Sequence, residues 1–168
     1  MPTEVHCEQE ESSLRQLRYY VETSVWNFLL ETQRLERHQA TQRFFQQVRG
    51  PDALAISNVV LREIARAPQP RRQALEQLLQ RYDPIVLAET SEVLTLAQRY
   101  VAEGLIPAKY LNDALHVATA VISEVEVVVS WNFEHLVKLK TRRGVNGLNR
   151  LLGYREVEII SPEEVSVG

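Results

Sequence analysis

A chain of 168 residues, 45% hydrophobic and 24% charged, has the size and composition of one globular domain with a core of its own. Its formal charge of −3 gives no overall basic footprint, so any contact with nucleic acid must be local, or helped by a cation or a second subunit. The single cysteine, Cys7, allows neither an internal disulfide nor a thiolate metal cluster, and no apolar run nears the ~20 residues that span a bilayer. The acidic start of the chain is the opposite of a signal peptide, and the cytoplasm is the expected compartment.

Residues 1–16 lack apolar periodicity and are expected to be a flexible leader to a domain over 17–168. Leu17–Val21 is rich in β-formers and predicts a strand, after which Thr23 or Ser24 can cap a helix from Val25. A longer helix is predicted over Arg37–Val48, ended by Gly50-Pro51. A buried strand Ala53–Ile56 leads, through a Ser57 or Asn58 cap, to a helix Val59–Ala67 with Val60, Leu61, Ile64 and Ala65 on its core stripe. Pro68 and Pro70 break the chain before a helix Arg71–Tyr82, a strand Pro84–Leu87 and a helix Ser91–Ala102. Pro107 is placed to open a helix running to about Ile122, ahead of the strand Val125–Val129. Helices at Glu134–Lys140 and Arg143–Leu152, a strand Val157–Ile160 and a terminal turn complete the pattern. Strands alternating with helices predict an α/β fold, a three-layer α/β/α sandwich around a mostly parallel sheet.

In such a sheet ligands bind at the carboxyl ends of the strands. Glu22, Asn58, and Ser130-Trp131-Asn132 follow the first, second and fourth strands, and two helical acids, Glu63 and Asp113, can reach the same edge. Clustered acids repel one another unless a cation neutralises them, and oxygen-only ligands favour Mg²⁺ or Mn²⁺. The chain has no glycine-rich phosphate loop and no HExxH, which leaves this carboxylate group as the chemical candidate. Blander roles compete with it. Glu63 can pair with Arg66, and His116 reads as a hydrogen-bonded structural histidine. Trp26, Phe28 and Trp131 read as core, and the pairs Arg71-Arg72 and Arg142-Arg143 as solvated faces.

Four segments occur in order: Tyr20-Val-Glu-Thr-Ser-Val-Trp26, Ser57-Asn-Val-Val-Leu-Arg-Glu-Ile64, Asp113-Ala-Leu-His-Val-Ala118 and Val129-Ser-Trp-Asn-Phe-Glu-His135. Together they resemble the PIN-domain family, especially the VapC-like toxins of type II toxin–antitoxin pairs, over roughly residues 18–165. The resemblance implies a metal-dependent endoribonuclease in which Glu22, Glu63 and Asp113 hold Mg²⁺ or Mn²⁺, while Asn132 orients the attacking water or a phosphate. It further implies a homodimer inhibited by a small antitoxin protein. Thr23, Ser24, Asn58, Ser130 and His135 are the candidate substrate contacts. Two positions depart from the family's pattern: Glu22 stands where aspartate is usual, and Asn132 where many members carry a fourth acid. A PIN-fold module that binds RNA or a protein without cleaving is the competing reading.

Overall fold

The computed structural model describes residues 17–165, and the leader expected over residues 1–16 lies outside the described residues. One sheet holds β1 (Tyr19–Val21), β2 (Leu54–Ser57), β3 (Ile85–Leu87), β4 (Val127–Val129) and β5 (Glu158–Ile160), in the order β3-β2-β1-β4-β5. All neighbouring strands are parallel. Parallel neighbours need crossover connections, and helices supply them. These are α1 (Thr23–Phe28), α2 (Leu35–Gln47), α3 (Asn58–Ala65), α4 (Arg71–Tyr82), α5 (Ser91–Ala102), α6 (Leu111–Ile122) and α7 (Leu139–Leu151); α8 (Pro162–Val165) follows β5. Every residue of β2 and β4 is buried, as strands covered by helices on both faces require. The result is the three-layer α/β/α sandwich that the alternation of elements implies. Its core includes the fully buried Tyr20, Trp26, Phe44, Tyr100 and Leu136.

Several boundaries differ from the sequence expectation. The cap of α1 is Glu22, whose carboxylate accepts from the Ser24 amide, rather than Thr23 or Ser24. Ser57 caps α3 through its hydroxyl, which leaves Asn58 exposed as the first helical residue. The buried stripe of α3 is Val59, Val60 and Ile64, whereas Leu61 and Ala65 face outward. Pro107 opens a 3₁₀ turn, Ala108–Tyr110, and α6 begins only at Leu111. The helix expected over Glu134–Lys140 is absent up to Lys138; Leu139 and Lys140 belong instead to the first turn of α7. Upstream, Asn132 O accepts from both Leu136 N (3.1 Å) and Val137 N (2.8 Å), a tight turn that buries both side chains before α7 starts at Leu139.

The order of strands sets where a ligand can enter. From β1 the chain steps through β2 to β3, then crosses back to β4 and on to β5, so the winding reverses between β1 and β4. A crevice opens outside the carboxyl ends of the strands at such a switch point. Val21 and Val129 are register partners, so Glu22 and Ser130 leave the sheet side by side.

Candidate carboxylate centre

Glu22 is buried at the switch point and spends one carboxylate oxygen on the protein. Its Oε2 accepts from Ser24 N (3.1 Å), from Ser130 Oγ (2.9 Å) and, in a very short contact, from Ser24 Oγ. The two serine hydroxyls are also acceptors: Trp131 N donates to Ser24 Oγ and Asn132 N to Ser130 Oγ, each at 2.9 Å. The loop after β4 is thereby stitched to the cap of α1.

Glu63 lies one turn beyond Val59 on α3, so its side chain returns over the strand ends. Its Oε1 accepts from Thr23 Oγ1 (2.9 Å) and from His116 Nε2 (2.6 Å), in place of the pairing with Arg66 that its spacing allowed. His116 is fully buried on α6, and both of its nitrogens are engaged. Nδ1 meets Tyr20 Oη at 2.6 Å, and that hydroxyl meets Ser57 Oγ at 2.7 Å. A carboxylate can only accept, so His116 Nε2–H donates to Glu63. Burial pushes the Tyr20 phenol well above its ordinary value, which keeps it a neutral link in this chain of hydrogen bonds.

Asp113, on the first turn of α6, meets Asn132: its Oδ2 accepts from Asn132 Nδ2 at 3.2 Å. The Asn132 amide is locked from its other end, because Oδ1 accepts from His135 N at 3.0 Å. Burial and the nearby charge of Glu22 push the Asp113 carboxyl up to about 6. Burial also acts to raise Glu63, but the His116 hydrogen bond and charge and the Thr23 hydroxyl outweigh it and hold that carboxyl below its ordinary value. For His116, burial disfavours the charged ring, yet the Glu63 hydrogen bond and the charges of Glu22, Glu63 and Asp113 raise its pKa overall.

Ligand atoms of Glu22, Glu63 and His116 lie within 4.8 Å of one another, a grouping that could hold a cation. His116 Nε2 is committed to Glu63, however, and coordination would break a 2.6 Å bond. Asp113 lies outside that grouping, but its carboxylate, like those of Glu22 and Glu63, keeps an oxygen to spare. Among the described residues, Glu22 Oε1, Glu63 Oε2 and Asp113 Oδ1 accept no hydrogen bond, while the partner oxygen of each is spent on the protein. Such a set of spare oxygens, with an Asp113 that burial and the charge of Glu22 keep from ionising in its ordinary range, suits a hard divalent cation.

The sequence-predicted residues divide accordingly. Glu22, Glu63, Asp113 and Asn132 converge. Thr23, Ser24 and Ser130 are present too, with their hydroxyls turned onto carboxylates. Asn58 is exposed and has no part in the network, and His135 stacks on Tyr110, with ring centroids 3.9 Å apart. The hydrogen bonds of His116 fit the structural histidine that the sequence suggests, but its relay through Tyr20 to Ser57 goes beyond what the sequence shows. The signal for it is the three-residue step from Asp113 to His116, which puts both on one face of α6.

Fold and site together define a doubly wound α/β protein with a carboxylate centre at its topological switch point. The PIN domain family profile matches residues 19–135, and the chain belongs to that family. No curated protein sequence matches the chain. Among solved structures, VapC20 from Mycobacterium tuberculosis, described as a sarcin-ricin loop cleaving toxin, superposes with a TM-score of 0.54 at 18% identity, covering 70% of this chain and 92% of that one. VapBC2 from Rickettsia felis, bound to a promoter DNA fragment, gives 0.56 at 14% identity over 86% and 98% of the two chains. DNA-bound VapBC from Salmonella typhimurium gives 0.52 at 16% identity over 87% and 98%. At these identities the likeness establishes a shared fold. No helix among the described residues is long and apolar enough to cross a membrane.

Proposed function

We propose that the protein is a divalent-metal-dependent endoribonuclease, the toxin of a type II toxin–antitoxin pair, working in the cytoplasm. The observation that carries this reading is the set of three carboxylates, each with one oxygen fixed by the protein and one left over. Membership of the PIN family and the VapC fold support it. Glu22, Glu63 and Asp113 would hold Mg²⁺ or Mn²⁺, which when bound acidifies water and stabilises charge on a phosphate.

The chain's own residues do the positioning. Ser24 and Ser130 fix the Glu22 carboxylate, Thr23 and His116 fix Glu63, and Asn132 fixes Asp113 through its amide. In this reading Asn132 acts as a neutral donor to Asp113, and it spares the site a fourth negative charge. Asn58 is exposed at the rim for RNA, whereas the His135 ring is largely covered, stacked on Tyr110 with its Nε2 buried. In this reading the protein is a homodimer held inactive by a small antitoxin; two of the fold's relatives are VapBC complexes. Cleavage of a labelled structured RNA tests the reading, with Mn²⁺ and with EDTA, beside a Glu22→Gln, Asp113→Asn double variant. Metal-dependent cleavage that the variant lacks is expected; equal cleavage by both proteins would sink the assignment of the site.

A further inference from the structure

Directly after Asn132 the chain presents Phe133, which is 40% exposed. Its ring stands edge-on to Trp131, with centroids 6.0 Å apart and planes at 64°, and Trp131 packs against Phe28 at 5.5 Å. The guanidinium of Arg37, from α2, sits among these three rings, 5.2 Å from the centroid of Phe133, 5.3 Å from Trp131 and 5.7 Å from Phe28. Arg37 is half-buried, yet among the described residues its side chain makes no ion pair and no hydrogen bond. The ring faces hold the cation in place, and its N–H donors remain unspent.

This cluster is rigidly coupled to the carboxylate centre. Trp131 N donates to Ser24 Oγ, the same hydroxyl that donates to Glu22. At its far end Trp131 Nε1 donates to Thr41 Oγ1 (2.9 Å), which in turn donates to Arg37 O (2.7 Å). The buried tryptophan is thus a strut between the site and an exposed aromatic ring with a preset cation beside it. An aromatic face for a splayed base and a cation for the backbone is the combination by which proteins take single-stranded RNA. In a chain of net charge −3, such a cation must be placed locally.

We propose that Phe133 and Arg37 form a nucleotide ledge beside the carboxylates, where Phe133 stacks an unpaired base flanking the scissile bond and Arg37 donates to that nucleotide's phosphate. The proposal takes its substrate, single-stranded RNA, from the nuclease reading above. The test is binding of a single-stranded RNA carrying 2-aminopurine to the full chain in EDTA, which prevents cleavage. Phe133→Ala and Arg37→Gln should each bind about tenfold more weakly, the change expected when a base loses its platform, and Phe133→Trp should restore affinity. An abasic nucleotide scanned along the RNA should, at one position, cost the parent a similar factor and cost Phe133→Ala nothing further. Unaltered RNA binding by Phe133→Ala would overturn the ledge, and so would abasic penalties that are the same in both proteins. The same holds if Phe133→Ala disturbs only association with a protein partner. Phe133-dependent RNA binding without any Mn²⁺-dependent cleavage would leave the ledge standing and remove the nuclease reading.

Discussion

Oε2 of Glu22 receives the serine hydroxyls and the Ser24 amide, whereas Oε1 accepts no hydrogen bond from the described residues and has His116 Nε2 at 3.9 Å. Glu22→Gln keeps the volume, and an amide oxygen can still accept from the serines, but the outward oxygen becomes a donor NH₂. The variant should therefore melt within a few degrees of the parent, and calorimetry should show Mn²⁺ binding lost. Asn132→Asp acts in the opposite sense. It replaces an amide donor 3.2 Å from Asp113 with a second carboxylate, so the cation-free protein should lose about 1–3 kcal/mol in urea denaturation. Saturating Mn²⁺ should return most of it.

Protonation follows from the same contacts. Asp113 and His116 both have raised pKa values, so each holds its proton to higher pH in the folded than in the unfolded chain. Their contribution to stability is present at low pH and is lost as pH rises through their folded values, near 6 for Asp113. Glu63, held low, contributes above the ordinary carboxylate range and loses that contribution only as pH falls through its depressed value. Cation-free protein should thus become less stable as pH rises from about 4 to about 6, the range over which Asp113 loses its proton in the unfolded and then in the folded chain. Asp113→Asn should flatten that fall; an unchanged slope in the variant would show that Asp113 is not its source.

Among elements, those with complete local signals match the sequence reading. α4 spans Arg71–Tyr82 as expected: its start is set at Pro70 and its end by Asp83 in the left-handed conformation. α5 spans Ser91–Ala102 because Thr90 Oγ1 accepts from Val93 N. The segment Glu134–Lys140 carries helical-looking apolar spacing, yet Asn132 draws it into a turn by accepting from His135, Leu136 and Val137. Apolar spacing does not record these bonds to a single residue, so the segment reads as helix. The end of α7 is another locally written feature. Gly153 has φ +83°, with Gly153 N bonded to Arg150 O and Tyr154 N to Asn149 O, the paired bonds of a Schellman cap. Gly153→Ala should cost about 1 kcal/mol of stability. Mn²⁺ affinity should be unchanged, which makes the variant a control for effects at the carboxylates.

For the molecule as a whole, the alternation of strands and helices was enough to read a parallel α/β/α sandwich, and the four motif segments were enough to place the chain in the PIN family. What stayed hidden was division of labour within the site. Sequence places Thr23, Ser24 and Ser130 at strand ends, but only the folded geometry shows their hydroxyls turned onto Glu63 and Glu22. Phe133 and Arg37 lie 96 residues apart, a separation that no periodicity bridges. Because the acids repel until neutralised, a cation should stabilise the entire fold by mass action, by about 2.7 kcal/mol at a hundredfold excess over Kd. Melting with and without Mn²⁺ reads this directly, and EDTA should reverse it.

The strand order also governs when the carboxylate centre can assemble during synthesis. Glu22 is made early and Asp113 much later, and β4, which carries Ser130 and Asn132, must slot against β1 at the middle of the sheet. A polypeptide still emerging from the ribosome, with only its first three strands made, therefore holds the early acids without the loop that fixes them. The carboxylate centre is therefore completed only after β4 has paired with β1, so its assembly reports on closure of the sheet's middle rather than on the early strands.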